Sequence, residues 1–154
     1  DLAAVVDDEF DRLDVLVNNV GSSRGDAPVG DLDLENWHAI LDVCVTSAFL
    51  CTKHALPLLL ADGGGAVINM SSTVGLQSTP GFAAYSASKA ALTNLTRSLT
   101  VDYADDGLRA NSIHPSPVAT AGLEAILADP ETGKYGKDDA VRDRGVTVRV
   151  QPQG

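Results

Sequence analysis

The apolar residues of this chain alternate between two rhythms, and the changes of rhythm outline strands and helices in turn. Residues Leu2 to Phe10 have helical spacing and read as a helix that ends there. Asp14 to Asn19 carries the unbroken apolar run Val15-Leu16-Val17, as expected of a strand covered on both faces. A loop rich in Gly, Ser, Asp and Pro fills Val20 to Asp31. A helix is predicted from Asp33 or Leu34 to near Leu60, with Trp37, Ile40, Leu41, Cys44, Phe49 and Leu56 at apolar positions and Asp62-Gly63-Gly64-Gly65 as its stop. Ala66 to Met70 is a second buried strand, and Ser71 to Thr79 is loop. Pro80-Gly81 opens a long helix reaching near Asp105, on which Ala83, Ala87, Ala90 and Ala91 form a small-residue surface. Gly107 ends it, and Leu108 to Ile113 is the third strand. Such alternation predicts a parallel sheet joined by crossover helices.

In an open sheet of this kind ligands bind beyond the carboxyl ends of the strands. Asn18-Asn19-Val20-Gly21 follows the first strand, Ser71-Ser72 the second, and Pro115 to Thr120 the third. On the long helix Tyr85 and Lys89 are four apart and share a face. A cation beside a phenol favours the phenolate, so the pKa of Tyr85 is expected to fall towards neutrality. Ser72 could then hold a carbonyl or alcohol oxygen against that phenol, an arrangement suited to hydride transfer. Plainer roles stand beside these: Asn19 as a turn residue, Gly21 for a positive φ, Ser72 solvating its loop and Thr120 capping a helix.

Several motifs occur in a fixed order. Val15-Leu16-Val17-Asn18-Asn19-Val20-Gly21 comes first, and Gly65-Ala66-Val67-Ile68-Asn69 leads into Ser71-Ser72. Twelve residues separate Ser72 from Tyr85-Ser86-Ala87-Ser88-Lys89, and Asn111-Ser112-Ile113-His114-Pro115 follows. Together they resemble the short-chain dehydrogenase/reductase family from near Phe10 to Thr120. The resemblance implies an α/β, three-layer Rossmann-like fold with a partial doubly wound parallel sheet. It implies an oxidoreductase that moves a hydride between NAD or NADP and a small-molecule alcohol or carbonyl substrate. Tyr85 would be the catalytic acid/base, Lys89 its partner and a ligand of the nicotinamide ribose, and Ser72 the group that polarises the substrate oxygen. Asn18, Asn19 and Gly21 would border the adenosine ribose and steady the central strand, Val118 would meet the carboxamide, and Thr120 the amide or phosphates. The two long helices, about Trp37–Leu60 and Gly81–Asp105, would pair with a second subunit to give a homodimer or homotetramer.

Departures from the family pattern shape the expectation. The glycine-rich phosphate loop Thr-Gly-x-x-x-Gly-x-Gly is absent, Cys44 stands where the family has a catalytic asparagine, Ser116 replaces a glycine and Val20 an alanine. A thiol is not expected to reproduce the paired donor and acceptor of an amide. With no initiator Met, residues 1–122 read as the second half of a Rossmann domain within a longer enzyme, and 123–154 as a divergent tail. The alternative is a non-enzymatic descendant that serves as an association module.

Composition narrows the rest. At 154 residues and 44% hydrophobic content the chain can build one modest core. A net charge of −10 argues against a nucleic-acid surface. No apolar run approaches membrane-spanning length, since Pro57 interrupts the longest, and no secretory signal opens the chain, so a cytoplasmic protein is expected. Cys44 and Cys51 lie two helical turns apart, roughly 10 Å, too far for a disulfide, and read as packing residues. His38, His54 and His114 share no ligand spacing, so structural roles and no metal site are expected. Leu123 to Ala128 reads as a short helix, Lys134 to Gly145 as a charged segment, and Val146 to Val150 as an edge strand.

Overall fold

The predicted alternation is what folds. A computed structural model describes residues 2–116 and 147–148. Along the chain come α1 (Leu2–Phe10), β1 (Val15–Asn18), α2 (Leu34–Leu41), α3 (Ser47–Leu60), β2 (Ala66–Met70), α4 (Ala83–Tyr103), β3 (Arg109–His114) and β4 (Thr147–Val148). Among the described residues the sheet order is β1-β2-β3-β4; the first three strands are parallel and β4 runs antiparallel to β3. β4 falls within the edge strand expected at Val146 to Val150, whereas the other expectations for residues 123–154 lie outside the described residues.

Register decides which side chains meet the helices. Leu16, Val67 and Ala110 are in line across the three parallel strands, as are Asn18, Asn69 and Ser112. The first row packs with Ala55 and Leu59 of α3, Leu99 of α4 and Leu108. Val67 and Leu108 are fully buried, and each such aliphatic side chain stabilises the fold by about 1.5–3 kcal/mol. The opposite face of β1 differs from the expectation of two-sided burial: Val15 is 47% exposed and Val17 53%.

The second row carries amides into this dry layer, and they answer one another. Asn18 Nδ2 donates to Thr52 Oγ1 of α3 at 3.0 Å and to Asn69 Oδ1 at 2.8 Å. Asn69 Nδ2 donates in turn to Thr96 Oγ1 of α4 at 2.9 Å, and Thr96 returns its hydroxyl hydrogen to Leu92 O. Two strands and two helices are thus linked by polar groups that burial would penalise if left unpaired.

The helix predicted from Asp33 to Leu60 begins as expected. Asp33 accepts from Asn36 N at 2.7 Å, and Asn36 Nδ2 reaches back to Asp33 Oδ2 at 2.7 Å. It is not uniform, however, because Asp42–Thr46 forms one widened π-helical turn between α2 and α3. That turn brings Cys44 fully inside, beside Ile40 and Ala84. Cys51 is exposed and does not pack as expected. By length and composition the 27 residues Leu34–Leu60 could cross a bilayer, contrary to the sequence expectation; here they contact β1, β2 and α4. At the amino edge of the sheet, Gly64 and Gly107 both take positive φ, and a Cβ on Gly64 would lie 2.2 Å from Gly107 O.

Candidate active site

At the carboxyl end of β2, three consecutive residues are bound to α4. Lys89 Nζ donates to Met70 O at 2.7 Å. Ser71 Oγ donates to Lys89 O at 2.8 Å and lies 2.9 Å from Thr93 Oγ1. Ser72 then starts the short 3₁₀ turn Thr73–Gly75, which packs against α4; its Oγ accepts from Val74 N at 3.3 Å, leaving its own O–H as a donor. Of the two adjacent serines, Ser71 is bonded to α4, whereas the Ser72 side chain accepts only within its own turn among the described residues.

His114, at the end of β3, supports Ser72 from beneath. Its ring is 1% exposed, with Nδ1 3.2 Å from Ser72 O and Nε2 2.9 Å from Ser112 Oγ. A carbonyl only accepts, so Nδ1 carries the hydrogen. The structural role expected of this histidine is therefore one of holding the serine's backbone.

Tyr85 stands in the first turn of α4, half-buried against Ile40, Cys44 and Ala84, with Phe82 edge-on at 6.3 Å between ring centroids. Lys89 is 2% exposed, and its Nζ lies 5.4 Å from the centre of the Tyr85 ring. From the other side comes Gly21. A Cβ there would sit 3.0 Å from Lys89 Nζ and 3.6 Å from Cys44 Sγ. Gly21 does not have the positive φ suggested for it; it is small because the amine and thiol need the space. Cys44 Sγ accepts from Ser22 N and donates to Ser22 O, both at 3.4 Å. The thiol thus acts weakly as donor and acceptor towards one backbone residue.

The electrostatics correct one expectation directly. Tyr85 is pushed above its ordinary value, first by burial and then by the neighbouring Cys44 when ionised. Lys89 is pushed down by burial, with Cys44 opposing. Loss of water disfavours both charged forms, the phenolate of Tyr85 and the ammonium of Lys89.

The remaining predicted residues divide. Asn18 is buried and both hydrogens of its amide are engaged by Thr52 and Asn69, so it acts in the scaffold. Asn19 is exposed on the edge beside Gly21. Val118 and Thr120 lie outside the described residues. One residue escaped sequence reasoning: Asp26, whose carboxylate accepts from the backbone N–H groups of Ala84 and Tyr85. The only available signal was that Phe82 cannot cap the helix it precedes.

The residues fit one end of a nicotinamide cofactor. Among the described residues Lys89 Nζ has one hydrogen-bond acceptor, Met70 O, so an ammonium there keeps donors for a ribose. The bare backbone of Gly21 leaves room beside it.

Comparison with known proteins follows the same lines. Residues 1–150 match a family model described as Enoyl-(Acyl carrier protein) reductase. The chain is 40% identical over 121 residues to a cis-4-hydroxycyclohexanecarboxylate dehydrogenase of Sinomonas cyclohexanicum, covering 79% of this chain and 49% of that one. An oxidoreductase of the short-chain dehydrogenase/reductase family from Burkholderia thailandensis superposes with a TM-score of 0.73 at 34% identity, over 82% of this chain and 49% of that one. A structure described as ElxO with NADP bound gives 0.78 at 28% identity, over 90% and 55%. The chain spans about half the length of the curated relatives it matches.

These shifts lead to a first prediction. With ¹³Cζ-labelled tyrosine, Tyr85 should titrate above the ordinary tyrosine value of about 10. A midpoint for Tyr85 below that value would show that Lys89 dominates after all.

Proposed function

Because the chain belongs to the short-chain dehydrogenase/reductase family, we propose that it carries the substrate-holding and proton-transferring half of a nicotinamide-dependent oxidoreductase acting on a carbonyl or its alcohol. The observation that supports this most is the buried Lys89. It is set between Met70 O, the Tyr85 ring and the backbone of Gly21, where a purely structural helix would place an apolar side chain.

A bound nicotinamide supplies or accepts the hydride. Lys89 would hold its ribose, with Gly21 leaving the space. Ser72 donates its hydroxyl hydrogen to the substrate oxygen and polarises the carbonyl. Tyr85 Oη gives up its proton to that oxygen as the carbonyl carbon gains a hydride, so the alcohol forms and a phenolate is left. Reduction uses the protonated phenol. Oxidation needs the phenolate, and its rate should rise with pH. The loop Ser22 to Asp31 would border the substrate, a carbonyl or its alcohol.

The test joins this chain to the part of the Sinomonas dehydrogenase that it does not match. That fusion should reduce ketones with NADH or NADPH, and Tyr85→Phe should lower kcat by about 10²–10⁴-fold. Full turnover without the phenol would refute the mechanism.

Self-association belongs to the same proposal, in the cytoplasm. Phe49 and Leu50 of α3 are 45% and 44% exposed, and Ala87, Ala90 and Ala91 of α4 are exposed as well. Apolar and small residues on two adjacent helices suit a homodimer or homotetramer. Sedimentation of the fusion should show an oligomer that Leu50→Glu dissociates; a monomer at high concentration before any substitution rules the pairing out.

A further inference from the structure

The loop between β1 and α2 reaches back to the helix that carries Tyr85. α4 begins at Ala83 with no cap of its own, since Phe82 offers no side-chain bond and the first N–H groups of a helix have no partner within it. Asp26 fills that need from far upstream. Its Oδ1 accepts from Ala84 N at 3.0 Å and its Oδ2 from Tyr85 N at 2.8 Å. Carboxylate bonds of this kind, at a positive helix end, are stronger than those between neutral groups.

The loop is shaped to deliver this carboxylate. Asp26 N donates to Ser23 O at 3.1 Å, closing a four-residue turn. Gly25 in that turn has a φ of 82°, and a Cβ on it would lie 2.5 Å from Asn36 Oδ1. Asn36 is the residue that completes the cap of α2, so the start of α2 fixes the turn that aims Asp26. Ala27 N holds Oδ1 at 2.9 Å, and the Cys44 thiol holds Ser22 in the same loop. Neither the loop's composition nor its length demands these contacts. Together they hold the loop from which Asp26 reaches the first turn of α4.

We propose that Asp26 is the positioning residue for Tyr85: by clamping the backbone N–H of Tyr85 itself, it sets where the phenol stands relative to Ser72 and Lys89. The placement of the proton donor is thereby tied to the loop that borders the substrate. This rests on the acid–base role of Tyr85. A residue that merely stabilised the helix would weaken the protein without changing chemistry that depends on the phenol.

A double-mutant cycle in the fusion protein separates these cases. Asp26→Ala and the milder Asp26→Asn should each lower kcat about tenfold or more with Tyr85 present, since misplacing a reacting group by about 1 Å can cost 100-fold. KM should change less than kcat. In the Tyr85→Phe background the same changes should leave the residual rate within about twofold, because no phenol remains to position. Equal losses in both backgrounds would overturn the proposal. Gly25→Ala, which moves the carboxylate without removing it, should reproduce the kcat loss. On the ¹⁵N-labelled chain alone, the Tyr85 amide proton should move upfield in Asp26→Asn while that of Thr93, deeper in α4, stays put; no movement at Tyr85 would also count against it. If Tyr85→Phe alone keeps full turnover, the acid–base reading fails instead, an outcome distinct from additivity.

Discussion

The carboxyl end of β2 and the middle of α4 are fastened together by buried polar contacts, and the arrangement of the site follows from that seam. Asn69 reaches Thr96, Ser71 reaches the Lys89 carbonyl, and the Met70 carbonyl accepts from Lys89 Nζ. Three successive residues, the last two of β2 and Ser71 after it, each hold the same stretch of helix. Hydrophobic contact alone would let α4 slide or rotate by a fraction of a turn, since Leu92 and Leu99 tolerate small shifts. Directional bonds do not, because a displaced amide in a dry layer loses its partner at about 1–3 kcal/mol. Ser72 and Tyr85 inherit their positions from this fixed line.

Burying Lys89 has an electrostatic consequence that runs through the site. Away from water its ammonium is disfavoured, and the same dryness disfavours the phenolate of Tyr85. The signs differ for stability. Lys89 releases its proton more readily folded than unfolded, so stability rises as pH climbs towards the unfolded value of about 10.4. Tyr85 holds its proton longer when folded, so stability falls as pH passes about 10.

Much of this was legible in the sequence, and the reasons for the rest are physical. Strands and helices announced themselves because local periodicity reports which face is covered, and Tyr85 and Lys89 because four residues make one helical turn. The widened turn at Asp42–Thr46 left no mark, as no Gly or Pro flags it. The direction of the Tyr85 shift was misread because proximity of a cation is visible in a sequence and loss of water is not. Asn18 was expected to steady its strand as well as to border the cofactor, yet the partners through which it does so, Thr52 and Asn69, lie far along the chain. Asp26 was hidden for the same reason: it caps a helix that starts 57 residues after it.

Hydrogen exchange on the ¹⁵N-labelled chain tests the seam most directly. Backbone amides of Val67 and Asn69 in β2 and of Leu92, Thr93 and Thr96 in α4 should be the slowest in the molecule and should share one opening free energy. Asn69→Ala should lower that shared value by about 2–4 kcal/mol at both elements together. If the substitution speeds exchange in β2 and leaves α4 unchanged, strand and helix are not held by these bonds, and the account of how the site is positioned is wrong.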